Sequence, residues 1–155
     1  MKLDSKNALK EISRVVLKDT GAYGSFIFFF LALVAFFLAG EQKFSIRMFF
    51  SLVAVTVVVI ILRLAYFKPR SGMKPRKYKA IYERVDNSSF PSIHVARSVI
   101  ISAAFFVKAP FLLPLLVLMV LAVCASRIYF KRHDITDITA GGIIGLILGF
   151  MSLAL

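Results

Sequence analysis

Charge is scarce in this chain. Only 18% of its 155 residues are Asp, Glu, Lys or Arg, and only eight of those are acidic. Cysteine is nearly absent. Cys124 stands alone in an apolar run, so no disulfide forms within the chain and a disulfide scaffold is excluded. We read it as a small apolar side chain inside the fold. Histidine is almost as rare, with only His94 and His133. No repeat, low-complexity segment or second domain is visible. A cleavable signal is not expected either. The first apolar run begins at Ala22 behind a long charged segment, and Leu38-Ala39-Gly40 is a poor cleavage site.

Apolar residues are what the chain has in excess. They make up 59% of it and the mean hydropathy is +0.83, more than a soluble domain of this size buries. A soluble enzyme domain and a disordered chain are excluded. The few charges are lopsided: 20 Lys and Arg give a net charge of +12. Nucleic acid is the usual partner of so basic a chain. Here the cations fall between apolar runs, where anionic lipid is nearer, and no nucleic acid is expected. The reading is all-α: a polytopic membrane helical bundle in which residues 1–155 form one domain.

Residues 1–20 are polar and basic, with Leu9, Ile12 and Val16 near one helical face. They are expected to form an interfacial helix, with a solvated tail as the alternative. Five spans are expected at 22–39, 44–67, 92–107, 111–130 and 135–155. A polar turn at 40–43, a long basic loop at 68–91, a break at 108–110 and a hinge at 131–134 join them. Gly141, Gly145 and Gly149 recur every four residues in the last span, a spacing that lets another helix approach closely.

Five crossings place the N-terminal segment, the 68–91 loop and the 131–134 hinge on one side. That side holds fifteen cations, the other side three, and Arg63 and Arg97 lie inside spans near their ends. The positive-inside rule puts the crowded side in the cytoplasm, although cations recruited for chemistry weight the same count. Charge inside a span is expensive, and snorkelling from a helix end is the simplest account of either arginine alone.

Three clusters fall on the crowded side: Arg63 to Ser71, Phe90 to His94, and Ser126 to Asp137. Together they describe a phosphate site. Guanidinium groups hold phosphate oxygens through forked, charge-assisted hydrogen bonds. Pro91 suits a helix first turn, whose free N–H groups bind an anion together with the Ser92 hydroxyl. His133 and Asp137 are four apart, so one helical face aligns the carboxylate with one ring nitrogen and leaves the other as a nucleophile. His94, on another helix, is placed to protonate a leaving oxygen. A two-metal clamp needs several ligands, yet only Asp134 and Asp137 lie close in sequence to a histidine. No metal and no cofactor are expected.

These residues resemble the type 2 phosphatidic acid phosphatases, relatives of the vanadium haloperoxidases. The family's motifs read K-x6-R-P, P-S-G-H and S-R-x5-H-x3-D. The third is complete here in Ser126, Arg127, His133 and Asp137. The second is present at Pro91, Ser92 and His94, with Ile93 in place of Gly. The first is degenerate, with Arg63 and Arg70 followed by Ser71. The resemblance implies that His133 attacks phosphorus, Asp137 orients it and His94 protonates the leaving group. It implies that Arg63, Arg70, Ser92, the Ile93 N–H and Arg127 hold the phosphoryl oxygens. The family usually shows six spans, one more than is counted here. Arg97, three residues after His94, is a candidate for contact with a second phosphate or a lipid headgroup, with helix-end snorkelling as its rival. Lys68 is a candidate for headgroup contact.

The expected function is removal of a terminal phosphate from a lipid phosphate or isoprenyl diphosphate, without metal, by an integral protein of a cell or inner membrane. The positive-inside count implies a cytoplasmic-facing site, whereas many bacterial relatives face outward. A non-catalytic scaffold or anionic-lipid-binding module on the same fold is the alternative. The natural lipid and the oligomeric state are not legible.

Overall fold

The computed structural model describes residues 5–70 and 80–153, with side chains from residue 11 onward. Lys74, Arg76, Lys77 and Lys79 of the basic loop lie outside the described residues. The described chain is all-helical. It runs α1 (Ser5–Thr20), a 3-10 turn (Gly21–Gly24), α2 (Phe26–Leu38), α3 (Gln42–Ala65), α4 (Ile81–Asn87), α5 (Ile93–Lys108), α6 (Leu113–Tyr129) and α7 (Ile135–Leu153).

Local chemistry sets these boundaries. Ser25 caps α2, its side chain accepting from the Phe28 N–H at 3.1 Å. Gly40, at φ 84°, takes the left-handed conformation that reverses the chain into α3. Pro114 sits at the start of α6, where its missing N–H costs nothing. Pro91 lies outside α5 rather than in its first turn: it precedes the cap residue Ser92 and follows a cis peptide bond from Phe90.

Three helical segments are long and apolar enough to cross a membrane: Gln42–Ala65, Pro110–Tyr129 and Ile135–Leu153. A fourth appears if α1 and α2, bent by 55° at the 3-10 turn, count as one broken span. The expected run 22–39 is thus interrupted, because residues 21–24 form that turn. With 13 and 16 residues, α2 and α5 extend about 20 and 24 Å at ~1.5 Å per residue, short of a ~30 Å hydrocarbon core.

The rods alternate in direction around α5. At one end Lys108 pairs with Glu41 at 2.6 Å and lies over the Phe44 ring. The opposite end gathers the 3-10 turn, the C-termini of α3 and α6, and the N-termini of α5 and α7. Phe29, Met48, Val55, Ile100, Ile101 and Val123 fill the interior. Leu38, Phe111 and Phe150 are more than 70% exposed, as lipid-facing side chains are. The glycine row of α7 meets α5 directly. A Cβ on Gly141 would overlap the Ser92 carbonyl oxygen, and one on Gly145 would stand 2.6 Å from that of Ala96. That close fit seats the start of α7 beside the start of α5.

Candidate active site

Contacts between backbone and side chains assemble the crowded end. The Ser92 N–H donates to the Asp137 carbonyl at 3.0 Å, locking the first turns of α5 and α7 together. Arg63, at the end of α3, reaches across to donate to the carbonyls of Val85 at 3.0 Å and Pro91 at 3.1 Å. The segment after α3 is stapled to the one before α5: the Ser89 N–H donates to the Lys68 carbonyl at 2.7 Å, and Pro69 forms a bridge with Ser88. Arg127 donates to the Gly21 carbonyl at 2.8 Å, tying α6 to the 3-10 turn.

The two histidines sit among these arginines. His94 opens α5 and lines a polar cavity with Arg127. His133 lies in the hinge two residues before α7 and is 6% exposed. Burial pushes its imidazole down to about 4, although the Asp137 carboxylate and a backbone hydrogen bond with Ser89 favour its charge. Burial likewise lowers Arg70, with nearby Asp86 opposing that shift and Arg132 adding to it.

The His133–Asp137 pair is present but not closed. Nδ1 of His133 stands 3.6 Å from Oδ2 of Asp137, too far for a hydrogen bond. Both carboxylate oxygens have other donors. Oδ2 accepts the Asp134 N–H at 3.1 Å, and Oδ1 accepts Lys68 Nζ at 2.9 Å. Lys68, expected at a headgroup, turns inward instead, and also meets Asp134 at 2.5 Å and the Thr136 hydroxyl at 2.9 Å. Burial disfavours the Lys68 charge, but these carboxylates outweigh it and raise its affinity for the proton. The Lys68 hydrogen bond in turn holds the Asp134 carboxyl well below the usual carboxylate range.

Ser92 is fully buried and its N–H is spent on Asp137, so it offers an anion only its hydroxyl. The N–H groups that follow, beginning with Ile93, have no acceptor within the helix. Arg97 is 9% exposed; its guanidinium lies over the Phe26 ring and reaches the Thr56 hydroxyl at 3.4 Å. It points into the bundle and does not snorkel from a helix end.

Six buried side-chain polar atoms among the described residues lack a hydrogen-bond partner. They are Nε of Arg63, Arg70, Arg97 and Arg127, Oγ of Ser92, and Nδ1 of His133. All six belong to residues singled out from sequence. Among the described residues, no three His, Cys, Asp or Glu side chains are grouped to hold a metal ion.

Sequence reasoning missed two parts of this end. One is the Lys68 clamp. The other is the 3-10 turn, where a Cβ on Gly24 would overlap the His94 carbonyl oxygen and one on Gly21 would stand 2.7 Å from Arg127 Nη2. The signal was the Gly-Ala-Tyr-Gly stretch before the Phe-rich run, two glycines where backbone meets backbone.

The family model described as the PAP2 superfamily matches residues 65–155, a stretch that begins just after Arg63. The fold is similar to that of LpxE from Aquifex aeolicus, with a TM-score of 0.75 and 24% identity over 92% of this chain and 86% of that one. It is also similar to a transmembrane PAP2 type phosphatidylglycerolphosphate phosphatase from Bacillus subtilis, with a TM-score of 0.66 and 17% identity over 96% of this chain and 86% of that one. With a family match over more than half its length and the motif residues gathered at one end of an apolar bundle, this integral membrane chain belongs to the PAP2 superfamily, the type 2 phosphatidic acid phosphatases.

Proposed function

We propose that the protein is a metal-independent membrane phosphatase that removes the terminal phosphate of a lipid phosphate or diphosphate through a phosphohistidine. The observation that carries this reading is the set of six unpartnered polar atoms. A buried donor left unmade costs about 1–3 kcal/mol, and five of these six are permanent N–H or O–H donors. An anion with several acceptor oxygens satisfies those of Arg63, Arg70, Arg127 and Ser92 together.

In this reading the His133 proton sits on Nδ1, on the Asp137 side, and Nε2 gives up its contact with the Ser89 backbone to attack phosphorus while the bond to the lipid oxygen breaks. The depressed proton affinity of His133 keeps it in the neutral, nucleophilic form at neutral pH. The negative charge of the docked phosphate favours a proton on His94, which comes in with the substrate and passes from His94 to the departing oxygen. His94 then takes one from water, whose oxygen attacks phosphorus, breaks the P–N bond and releases phosphate. As charge develops on His133, a shift of less than 1 Å closes its 3.6 Å gap to Asp137. Arg63, Arg70, Arg127, the Ser92 hydroxyl and the Ile93 N–H hold the phosphoryl oxygens.

Five crossings, with α2 and α5 as short ones, fit the alternation of the rods. Excluding Lys68, Arg70 and Arg127, twelve cations remain on the site side against three on the other, which supports a cytoplasmic-facing site. Tyr82 is 73% exposed on the site side. A Tyr82→Cys label in a Cys124→Ala background, with Gln42→Cys as the opposite-end control, is expected to resist an impermeant thiol reagent in intact cells. Labelling of Tyr82→Cys but not Gln42→Cys reverses the facing.

Activity is tested with purified protein, a panel of lipid phosphates and excess EDTA. Phosphate release, an acid-labile phosphoenzyme, and loss of both in His133→Ala are the expected result. Binding of lipid phosphates without release on any substrate would establish the anionic-lipid-binding module instead.

A further inference from the structure

The hinge that carries His133 also carries a carboxylate outside the named motif positions, Asp134. It caps the start of α7. Its Oδ1 accepts the Asp137 N–H at 3.1 Å, and Asp137 Oδ2 accepts the Asp134 N–H at 3.1 Å. This reciprocal pair is a capping box closed by two carboxylates. The Thr136 hydroxyl also donates to Asp134 Oδ1, at 2.7 Å. The box uses one oxygen of each acid, and the two that remain share one cation. Lys68 Nζ lies 2.5 Å from Asp134 Oδ2 and 2.9 Å from Asp137 Oδ1.

That sharing decides how much charge is left on Asp137. Lys68 stands nearer to this carboxylate than His133 does, 2.9 Å against 3.6 Å. The Asp137 side chain is 1% exposed, so solvent screens it little. A lysine paired with Asp137 alone would offset its whole charge. The His133 ring, which turns positive as it attacks phosphorus, would then meet no net counter-charge. Asp134 changes the sum, because one ammonium and two carboxylates leave a single negative charge beside the ring. Asp134 is also the closer partner of Lys68 and lies at the exposed rim, so it draws the ammonium outward.

We propose that Asp134 is a positioning residue for the reaction: it draws the Lys68 ammonium to itself and leaves the Asp137 carboxylate free to hold His133 as that ring becomes positive. This deepens the phosphohistidine reading and rests on it. Lys68 keeps Asp137 in place, and Asp134 keeps Lys68 from neutralising it. The other groups that act on His133 come from separate elements. They are Arg63 at the end of α3, Arg70 beyond it, His94 on α5, the Ser89 backbone, and Arg127 on α6, whose carbonyl accepts the His133 N–H at 3.3 Å. Arg132 adjoins it in the hinge.

The test uses the full chain in detergent. Asp134→Asn removes the charge and keeps a good N-cap, so the box survives. With Lys68 present it is expected to lower kcat roughly tenfold at nearly unchanged KM. In a Lys68→Met background the same change is expected to lower kcat by less than about twofold, because Asp134 acts through Lys68. A His94→Gln background isolates the His133 ring resonance in the absence of substrate. There Lys68→Met is expected to raise the titration midpoint above its value of about 4, and adding Asp134→Asn to reverse most of that rise. Equal loss of kcat in both backgrounds overturns the proposal and leaves Asp134 a helix cap. So does an unchanged kcat with Lys68 present, a midpoint that Lys68→Met does not raise, or a rise that Asp134→Asn leaves intact. A wild-type chain that releases no phosphate refutes the phosphatase reading, and the substrate-free midpoint then decides the charge sharing by itself.

Discussion

The four glycines of α7 make a graded test of how the fold holds the site. An added methyl group meets very different surroundings at each. At Gly145 it would stand 2.6 Å from the Ala96 carbonyl oxygen, 2.9 Å from Val99 Cβ and 3.0 Å from Ala96 Cα. Restoring ordinary separation, roughly 3.5 Å, requires α7 and α5 to part by nearly 1 Å. Gly141 is tighter still, against the carbonyl of Ser92, the residue whose N–H makes the hydrogen bond that joins the two helices. At Gly149 the nearest atoms are 3.6 and 3.7 Å away, and at Gly142 nothing lies within 4 Å. Backbone cannot yield as a side-chain tip can, so overpacking at 141 and 145 costs about 1–3 kcal/mol. At 142 and 149 only the helix preference for Ala acts, a gain of about 0.5–1 kcal/mol.

Thermal melting of the four Gly→Ala variants in one detergent reads this out. Gly141→Ala and Gly145→Ala are expected to melt several degrees below wild type, and Gly142→Ala and Gly149→Ala at or slightly above it. Activity should fall in the same order. A displacement near 1 Å carries His133 and Asp137, which open α7, away from Ser92 and His94 at the start of α5, and misplacement on that scale costs about 100-fold in rate. Four variants that melt alike would refute the close helix approach, and with it the account of how α7 is seated.

Other expectations follow from single contacts. With only two histidines, a His94→Gln background leaves one imidazole resonance. Its titration midpoint should lie near pH 4, and Asp137→Asn should lower it further, because the carboxylate favours the charged ring; a midpoint near the ordinary ~6.5 refutes the burial account. The same depression makes His133 a source of acid lability: its contribution to stability is complete above its ordinary value and is lost as pH falls toward 4. Lys68→Met should cut kcat roughly tenfold with KM nearly unchanged, since Lys68 positions Asp137; a rise in KM alone returns Lys68 to the headgroup. Arg63→Lys should lower stability by about 1–3 kcal/mol, because an ammonium cannot serve the Val85 and Pro91 carbonyls with a fork.

Much of this was legible before any coordinates. Helix positions follow from apolar runs broken by short polar stretches, and α3, α6 and α7 fall within a few residues of the expected spans. The first apolar run did not announce its break, because Gly21 and Gly24 sit beside it without any change in hydropathy. Their role depends on what lies opposite, the backbone of His94 and the Arg127 side chain, and one-dimensional spacing carries no such partner. The contacts of Lys68 were hidden for a related reason. A lysine in a basic loop looks like its neighbours, and only the return of the hinge beside it supplies Asp134 and Asp137. The motif spacing from Ser126 to Asp137 was the strongest signal because it lies along one chain segment, where sequence distance and spatial distance agree.

In the proposed reading the groups at this end hold the fold and face the substrate at once. Arg63 spends its terminal nitrogens on two carbonyls and keeps Nε free. Arg127 spends one on Gly21 and keeps Nε free. Ser92 spends its N–H on Asp137 and keeps its hydroxyl. Each side chain is therefore fixed by one contact and left incomplete at another. Fixed donors need no reorganisation when an anion arrives, which is how a site gains most from electrostatic stabilisation. The same economy means that truncating Arg63 or Arg127 to Ala removes a brace together with a binding donor, whereas Ser92→Ala removes the donor and keeps the backbone brace. Loss of activity in such variants does not by itself identify a catalytic role. Substitutions that keep the brace and change the free donor, or that alter a neighbour such as Gly21 or Lys68 and leave the donor intact, separate the two.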